Sequence, residues 1–266
     1  MSPTFTETRK IKRLRLLPTW TVLRRELTRL WSIKRQTIGA PVLETYLYIS
    51  IFGASLGSRI HEVNGQPYVV FIIPGLIMMT IAMNSFANNA SSLMQQKLMR
   101  AIDDQLASPI PNTGLMVAFM LGGLIRAMTI ASIVFVTASL LVDLPVAHPF
   151  VLALTLLLVG LFFSLAGLLV GLRAETFDNL SFYQQFILQP LIFLGGVFYA
   201  ASFLPEPYRT LTHFDPIYYM IETTRYGFLG QTDVPVGLSL GVLTAVTAVV
   251  LLVNVVLFRR GYKLRA

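Results

Sequence analysis

The chain holds few side chains able to make or break a covalent bond. It has no cysteine, and His61, His148 and His213 are too far apart for metal-ligand spacing, so disulfide, thiolate and metal chemistry have no foothold. What it offers instead is hydrogen bonding and charge pairing in apolar surroundings. Asn84 and Asn88 stand four apart, as do Gln185 and Gln189 just before Pro190, so each pair shares one face of a helix. Amides placed this way bind either a ligand or a neighbouring helix. Glu44 and Arg126 lie deepest in apolar sequence, where an isolated charge is expensive, and are expected to pair with each other. A proton or ion relay would want a longer series of such groups. Glu222 and Arg225, three apart, are expected to pair on a helix surface.

The elements that carry these residues follow from composition. Of 266 residues, 55% are hydrophobic and 13% charged, about half the charged fraction usual in a soluble domain. Uncharged runs cover residues 63–96, 144–172, 179–205 and 234–258, each longer than the roughly 20 residues a helix needs to cross hydrocarbon. Continuous apolar runs suit helices rather than the alternating strands of a membrane barrel. The expected fold is an all-α polytopic membrane protein with six spans, near residues 38–57, 68–90, 115–142, 149–171, 182–203 and 238–258. In that frame Glu44 and Arg126 lie about 10 Å and 17 Å from the same side of the bilayer.

Ten basic residues precede the first span, two lie between the second and third, one follows the fourth and four close the chain. Arg59, Arg209 and Arg225 fall on the opposite side. The positive-inside rule then puts both termini in the cytoplasm. That distribution accounts for the net charge of +8 without a nucleic-acid partner. No secretory signal peptide is expected, because residues 1–36 are basic and lack a long apolar core.

Several segments flank the spans. Residues 1–36 form a basic tail with an amphipathic helix, in which Trp20, Leu23, Leu27, Leu30 and Trp31 share a face suited to the membrane surface. In the loop 91–112, Met94, Leu98, Ile102 and Leu106 recur every fourth residue beside Asp103 and Asp104, and Ser108-Pro-Ile-Pro111 closes the segment. A short helix with that stripe fits a partner's groove. Residues 199–233 are unusually aromatic for an exposed loop, and the stretch from Ile217 to Leu229 reaches only about 20 Å. It must dip into the bilayer and return, or lie flat. Residues 259–266 form a second basic tail. Gly53 with Gly57 and Gly167 with Gly171 are small pairs expected to let helices approach closely.

Together, Gly195-Gly-Val-Phe-Tyr199, Leu204-Pro205, the Asp215-Pro216-Ile217 turn and Arg225-Tyr-Gly-Phe-Leu-Gly230 resemble the signature region of ABC-2 type transporter permeases, the membrane subunits of ABC exporters. The likeness covers nearly the whole chain and is nearest to the bacterial branch whose permease is encoded apart from its ATPase. It implies a homodimer of permeases on two cytoplasmic ATPase subunits, in contact with the lipids of a bacterial inner membrane. It also implies a connecting helix in residues 1–36 and a coupling helix over residues 95–108, with Met94, Leu98, Ile102, Asp103, Asp104 and Leu106 at the ATPase. Short re-entrant helices over the region from Phe198 to Gly230 would close the outer end, with Phe198, Tyr199, Phe203 and Leu204 as its gate, and Asn84, Asn88, Gln185 and Gln189 would border the internal cavity.

The chain has no G-x-x-x-x-G-K-S/T loop, so ATP and magnesium are expected on the partner subunit and no cofactor or catalytic residue in this one. The expected function is export of a hydrophobic or amphipathic substrate (a drug, a lipid or a glycan-linked molecule) by alternating access. A gradient-driven carrier would require Glu44 or Arg126 to titrate during transport. An integral-membrane enzyme would require a catalytic cluster that the sequence lacks.

Overall fold

The computed structural model describes residues 5–32, 35–55, 62–107 and 110–264. Gly57, Arg59, His61, Ser108 and Pro109 lie outside the described residues, and with them one of the glycine pairs and part of the predicted loop closure. In chain order, α1 (Phe5–Ser32) is followed by a π-helical turn (Arg35–Gly39) and α2 (Ala40–Ser55). A hairpin of β1 (Glu62–Val63) and β2 (Gln66–Pro67) turns on Asn64-Gly65, both with positive φ as such a tight turn requires. Then come α3 (Tyr68–Leu98), α4 (Ala101–Ala107), α5 (Asn112–Leu141), α6 (Pro149–Arg173) and α7 (Phe177–Phe182). A second π-helical turn (Tyr183–Leu188) leads to α8 (Gln189–Leu194). A 3-10 turn (Ala201–Phe203), α9 (Tyr208–Phe214), α10 (Pro216–Leu229) and α11 (Val236–Arg259) follow.

Among the described residues four helices, α3, α5, α6 and α11, are long and apolar enough to cross a membrane. The expected first and fifth spans take a different form. α2 has 16 residues, about 24 Å of helix. The expected fifth span is interrupted twice: Pro190 has no amide to donate, and the preceding turn widens so that the Gln189 N–H reaches the Gln184 carbonyl. It then stops at Leu194, short of the expected residue 203, where Gly196 enters the left-handed region at φ 88.

α3 lies at the centre. Phe71, Ile72, Ile73, Leu76, Ile77, Met78 and Ile81 are buried on successive faces, packed by α5, α6 and α10. α6 comes closest through the expected glycine pair: a Cβ on Gly167 would lie 2.4 Å from the Phe86 carbonyl oxygen, and one on Gly171 2.9 Å from that of Ala90. α11 is patterned in the reverse sense to a soluble helix. Ser239, Thr247 and Asn254 are buried, while Leu238, Val249, Leu252 and Val256 are exposed. That suits a helix whose outer face meets lipid and whose polar side chains turn toward protein; the Asn254 amide donates to the Leu165 carbonyl at 3.1 Å.

α1 packs on α5 through Val22, Leu23, Glu26 and Leu30. Trp20 and Trp31 are 57% and 66% exposed, so the expected single apolar face is divided between protein contact and an outward aromatic edge. α10 begins where Asp215 accepts the Ile217 N–H at 2.9 Å and Pro216 opens the helix; it ends at left-handed Gly230. Although read from sequence as an outer segment, it is enclosed on most sides by α3, α6 and α11.

Candidate functional site

Between α2, α3 and the π-helical turn before α8 lies a cavity of about 280 Å³ whose polar lining is Glu44, Tyr48, Thr80, Asn84, Gln184 and Gln189. Of the four amides expected there, Asn84 and Gln189 line it and Asn88 and Gln185 do not. A π-helical turn explains the exchange of Gln185 for Gln184, because it aligns residues five apart rather than four. The cavity meets an aromatic cluster. The Phe198 ring stands 4.9 Å from Phe52, 5.8 Å from Tyr48 and 5.9 Å from Phe193. The Tyr199 hydroxyl donates to the Phe193 and Leu194 carbonyls. Phe203 is exposed and Leu204 half-buried, so these two of the four expected closing residues stand outside the cluster.

The expected Glu44–Arg126 pair is not formed. Glu44 borders the cavity, whereas Arg126 lies one turn beyond Gly122, against which the Glu26 side chain of α1 packs. Its Nη1 donates to Asn88 Oδ1 at 2.8 Å, and Asn88 reaches Asn89 at 3.5 Å. Asn89 in turn donates to Ser164 Oγ at 2.6 Å and to the Phe119 and Ser164 carbonyls. Asn88 therefore serves a network clamping α3, α5 and α6. Gly123 makes room for it, since a Cβ there would lie 2.4 Å from Asn89 Nδ2.

At the α4 end, Glu26 is buried and accepts from Ser92 Oγ at 2.8 Å and Gln96 Nε2 at 3.1 Å, with Arg25 at 3.4 Å. Gln105 of α4 donates to Gln96 Oε1 at 2.9 Å, completing a path from α1 through α3 to α4. The Lys97 ammonium caps the end of α6 by donating to the Leu172 carbonyl at 2.8 Å and those of Gly171 and Ala174 at 3.4 Å. The expected helix over residues 95–108 is broken at Met99–Arg100, where Arg100 takes φ 54. Its stripe is broken with it. Met94 and Ile102 are buried, Leu106 is half-buried, and Leu98 and Met99 are 52% and 70% exposed beside the exposed Asp104 and half-buried Asp103. A groove of about 610 Å³ runs between α1 and α4, lined by Val22, Arg25, Asp104, Gln105 and Ile110. Elsewhere, Lys263 pairs with Glu175 at 3.0 Å, and its hydrogen bond and charge hold that carboxylate below the usual range.

At the α10 end, Glu222 and Arg225 form the expected ion pair, but inside the protein rather than on a surface. Glu222 also accepts from Thr232 Oγ1 at 3.0 Å and the Asp233 N–H at 2.8 Å. Arg225 donates to the Gly196 carbonyl at 3.0 Å and lies 4.0 Å over the Phe71 ring. The Tyr68 hydroxyl donates to the Phe198 carbonyl at 3.0 Å, so α3 holds this end of the chain at two points. Burial pushes the Asp215 carboxyl up to about 6, against the lowering effect of the Ile217 N–H. Asp233 is raised by burial and by the Glu222 charge.

This combination of apolar helices, polar cavity and glycine-cornered α10 region has counterparts in known proteins. Residues 18–229 match the family described as ABC-2 type transporter. The chain belongs to that family. It is 41% identical to the inner membrane transport permease YadH of Escherichia coli strain K12, over 91% of this chain and 94% of that protein. It is 28% identical to nodulation protein J of Rhizobium leguminosarum bv. viciae, over 80% and 83% of the two chains, and 28% identical to that of Rhizobium meliloti, over 80% and 82%.

In this ABC-2 family chain the residues missed from sequence are those that join elements. Ser85, Asn89, Ser92 and Gln96 are buried along one side of α3, at steps of four, three and four. That is a helical stripe as regular as the Asn84/Asn88 pair. Glu26 had a signal too. It falls three residues after Leu23 and four before Leu30, on the apolar side of an otherwise basic helix.

Proposed function

We propose that this ABC-2 family member is the transmembrane permease subunit of an ATP-driven exporter in a bacterial inner membrane. Residues 37–258 form its transmembrane domain between the basic tails 1–36 and 259–266, with α2 and the α7–α8 segment as the two spans beyond the four long helices. Both termini are cytoplasmic. Two copies act with two ATPase subunits, which bind ATP and magnesium and hydrolyse the nucleotide. The observation that carries this reading is membership of a transporter family in a chain without a phosphate-binding loop. The energy therefore comes from elsewhere.

The geometry supplies a route for that energy. Leu98, Met99 and Asp104 are exposed beside the groove between α1 and α4, the surface on which the ATPase would seat. A push there reaches α3 through Gln105 and Gln96, and α1 through Glu26. Asn84 and Gln189 border the substrate path, and Phe198 and Tyr199 stand where it meets the aromatic cluster. Residues 199–233 dip into the bilayer and return, closing the outer end. Alternation between inward-open and outward-open forms is then a population shift set by differential affinity for the ATPase states. The substrate is hydrophobic or amphipathic.

Reconstitution tests this. The permease should co-purify with its ATPase and move substrate out only when ATP is supplied. Asp103→Lys and Asp104→Lys with Leu98→Ala should uncouple ATP hydrolysis from transport while leaving membrane insertion intact. Vigorous transport by the permease alone would refute the proposal.

A further inference from the structure

We infer that the cavity between α2, α3 and α8 takes an amphipathic organic cation, with Glu44 as the residue that recognises its charge. The case begins with Glu44, which forms no ion pair among the described residues. Arg126 is committed to Asn88, and the ion pairs formed among the described residues are Arg25–Glu26, Glu222–Arg225 and Glu175–Lys263. A carboxylate bordering apolar helices is expensive until a positive charge joins it.

The neighbouring polar groups point to the same chemistry. Asn84 spends its Nδ2 on the Thr80 carbonyl at 2.9 Å, which leaves its carbonyl oxygen to the cavity. Thr80 commits its hydroxyl proton to the Leu76 carbonyl at 2.8 Å and retains only lone pairs. Glu44, Asn84 and Thr80 are thus three acceptors around one space, and acceptors call for a donor or a cation; the Tyr48 hydroxyl and the Gln184 and Gln189 amides that share the lining can donate but are neutral and bring no counter-charge to Glu44. Among the described residues no lysine or arginine lines the cavity. A ligand whose only charge is a phosphate or carboxylate would face Glu44 without a counter-charge, which disfavours acidic glycans.

The remaining walls fit the apolar body of such a molecule. Met79, Met83 and Phe193 line the other side; thioethers adapt to varied shapes, and an aromatic face attracts a cation. At about 280 Å³ the cavity lies just under the range of roughly 300–1,000 Å³ that encloses a drug-sized ligand. It accommodates the charged head and one ring, and the rest of the molecule projects through the mouth.

This assignment rests on the exporter reading for its role in transport, but binding can be measured on the permease alone, without nucleotide. The full chain is placed in phosphatidylcholine nanodiscs. Two probes are titrated: the fluorescent cation dimethylaminostyryl-N-methylpyridinium and its uncharged parent, dimethylaminostyrylpyridine. The cation should bind about tenfold more tightly than the parent. Glu44→Gln should remove that advantage while leaving the parent's affinity unchanged, which also reports that the variant is folded, and Glu44→Asp should retain part of it. Equal affinities in the native chain, or a cation affinity indifferent to Glu44→Gln, would overturn the assignment. If the cation binds through Glu44 but the complex transports nothing with ATP, the exporter reading fails and the site stands. If ATP-driven transport succeeds and the cation does not bind, the ligand class is wrong and the exporter reading stands.

Discussion

Two buried carboxylates hold opposite ends of α3, and they are satisfied in different ways. Glu26 is met by neutral donors, Ser92 and Gln96, that belong to another helix, and its ion pair among the described residues is with the 43% exposed side chain of Arg25. Glu222 is met by Arg225 on its own helix, with the Asp233 N–H and Thr232 completing the shell. The first cluster therefore joins separate elements through bonds that water can replace one at a time. The second is closed on itself, and its arginine is fixed between the Gly196 carbonyl and the Phe71 ring. On the proposed exporter cycle, a joint that comes apart and reforms suits the first construction and a permanent corner suits the second.

The sharpest way to break that comparison is Arg225→Met. It leaves Glu222 buried and unpaired, a change that typically costs about 3–5 kcal/mol, so thermal unfolding in detergent should come markedly earlier. Adding Glu222→Gln should recover most of the loss. If the single variant melts with the native protein, the α10 end is not the fixed corner described. Glu26→Ala should cost less, about 1–3 kcal/mol for the stranded donors of α3, and should lower ATP-coupled transport by more than it lowers the melting temperature. A loss as large as that of Arg225→Met would make the two ends alike.

The smallest effect concerns pH. Burial penalises the charged form of Asp215, so the folded state favours its protonated form and its carboxyl titrates at about 6 instead of 3.8. That contribution is fully present below about pH 4 and is lost as pH rises through about 6, on the order of 2 kcal/mol. Asp215→Asn keeps the cap on α10 and should flatten the profile across this window, read by hydrogen exchange of the α10 amides. An unaltered slope would place the pH response on Asp233.

Much of the architecture was legible because hydrocarbon demands long uncharged runs. The helices later found at α3, α5, α6 and α11 began and ended within a few residues of the expected spans, except that α3 runs on to Leu98. The misplacements have local causes. Periodicity of four cannot foresee a π-helical turn, so Gln185 stood in for Gln184. Counting depth along two helices says nothing of which way each faces, so Glu44 and Arg126 were paired although Asn88 receives the arginine. The Leu98 stripe assumed a straight helix through Arg100, whose left-handed backbone no composition rule requires. Glu222 and Arg225 were paired correctly by spacing, yet their burial came from tertiary packing on α3, α6 and α11.

α3 bears Gln96 near one tip and Tyr68 at the other, some 28 residues or about 42 Å apart along a single helix. It behaves as a shaft. A twist delivered at Gln96 arrives at the Phe198 carbonyl held by Tyr68 with no loop to absorb it, and Pro74 is the one proline along the way. On the exporter reading proposed above, opening one mouth of the molecule and shutting the other would be a single event.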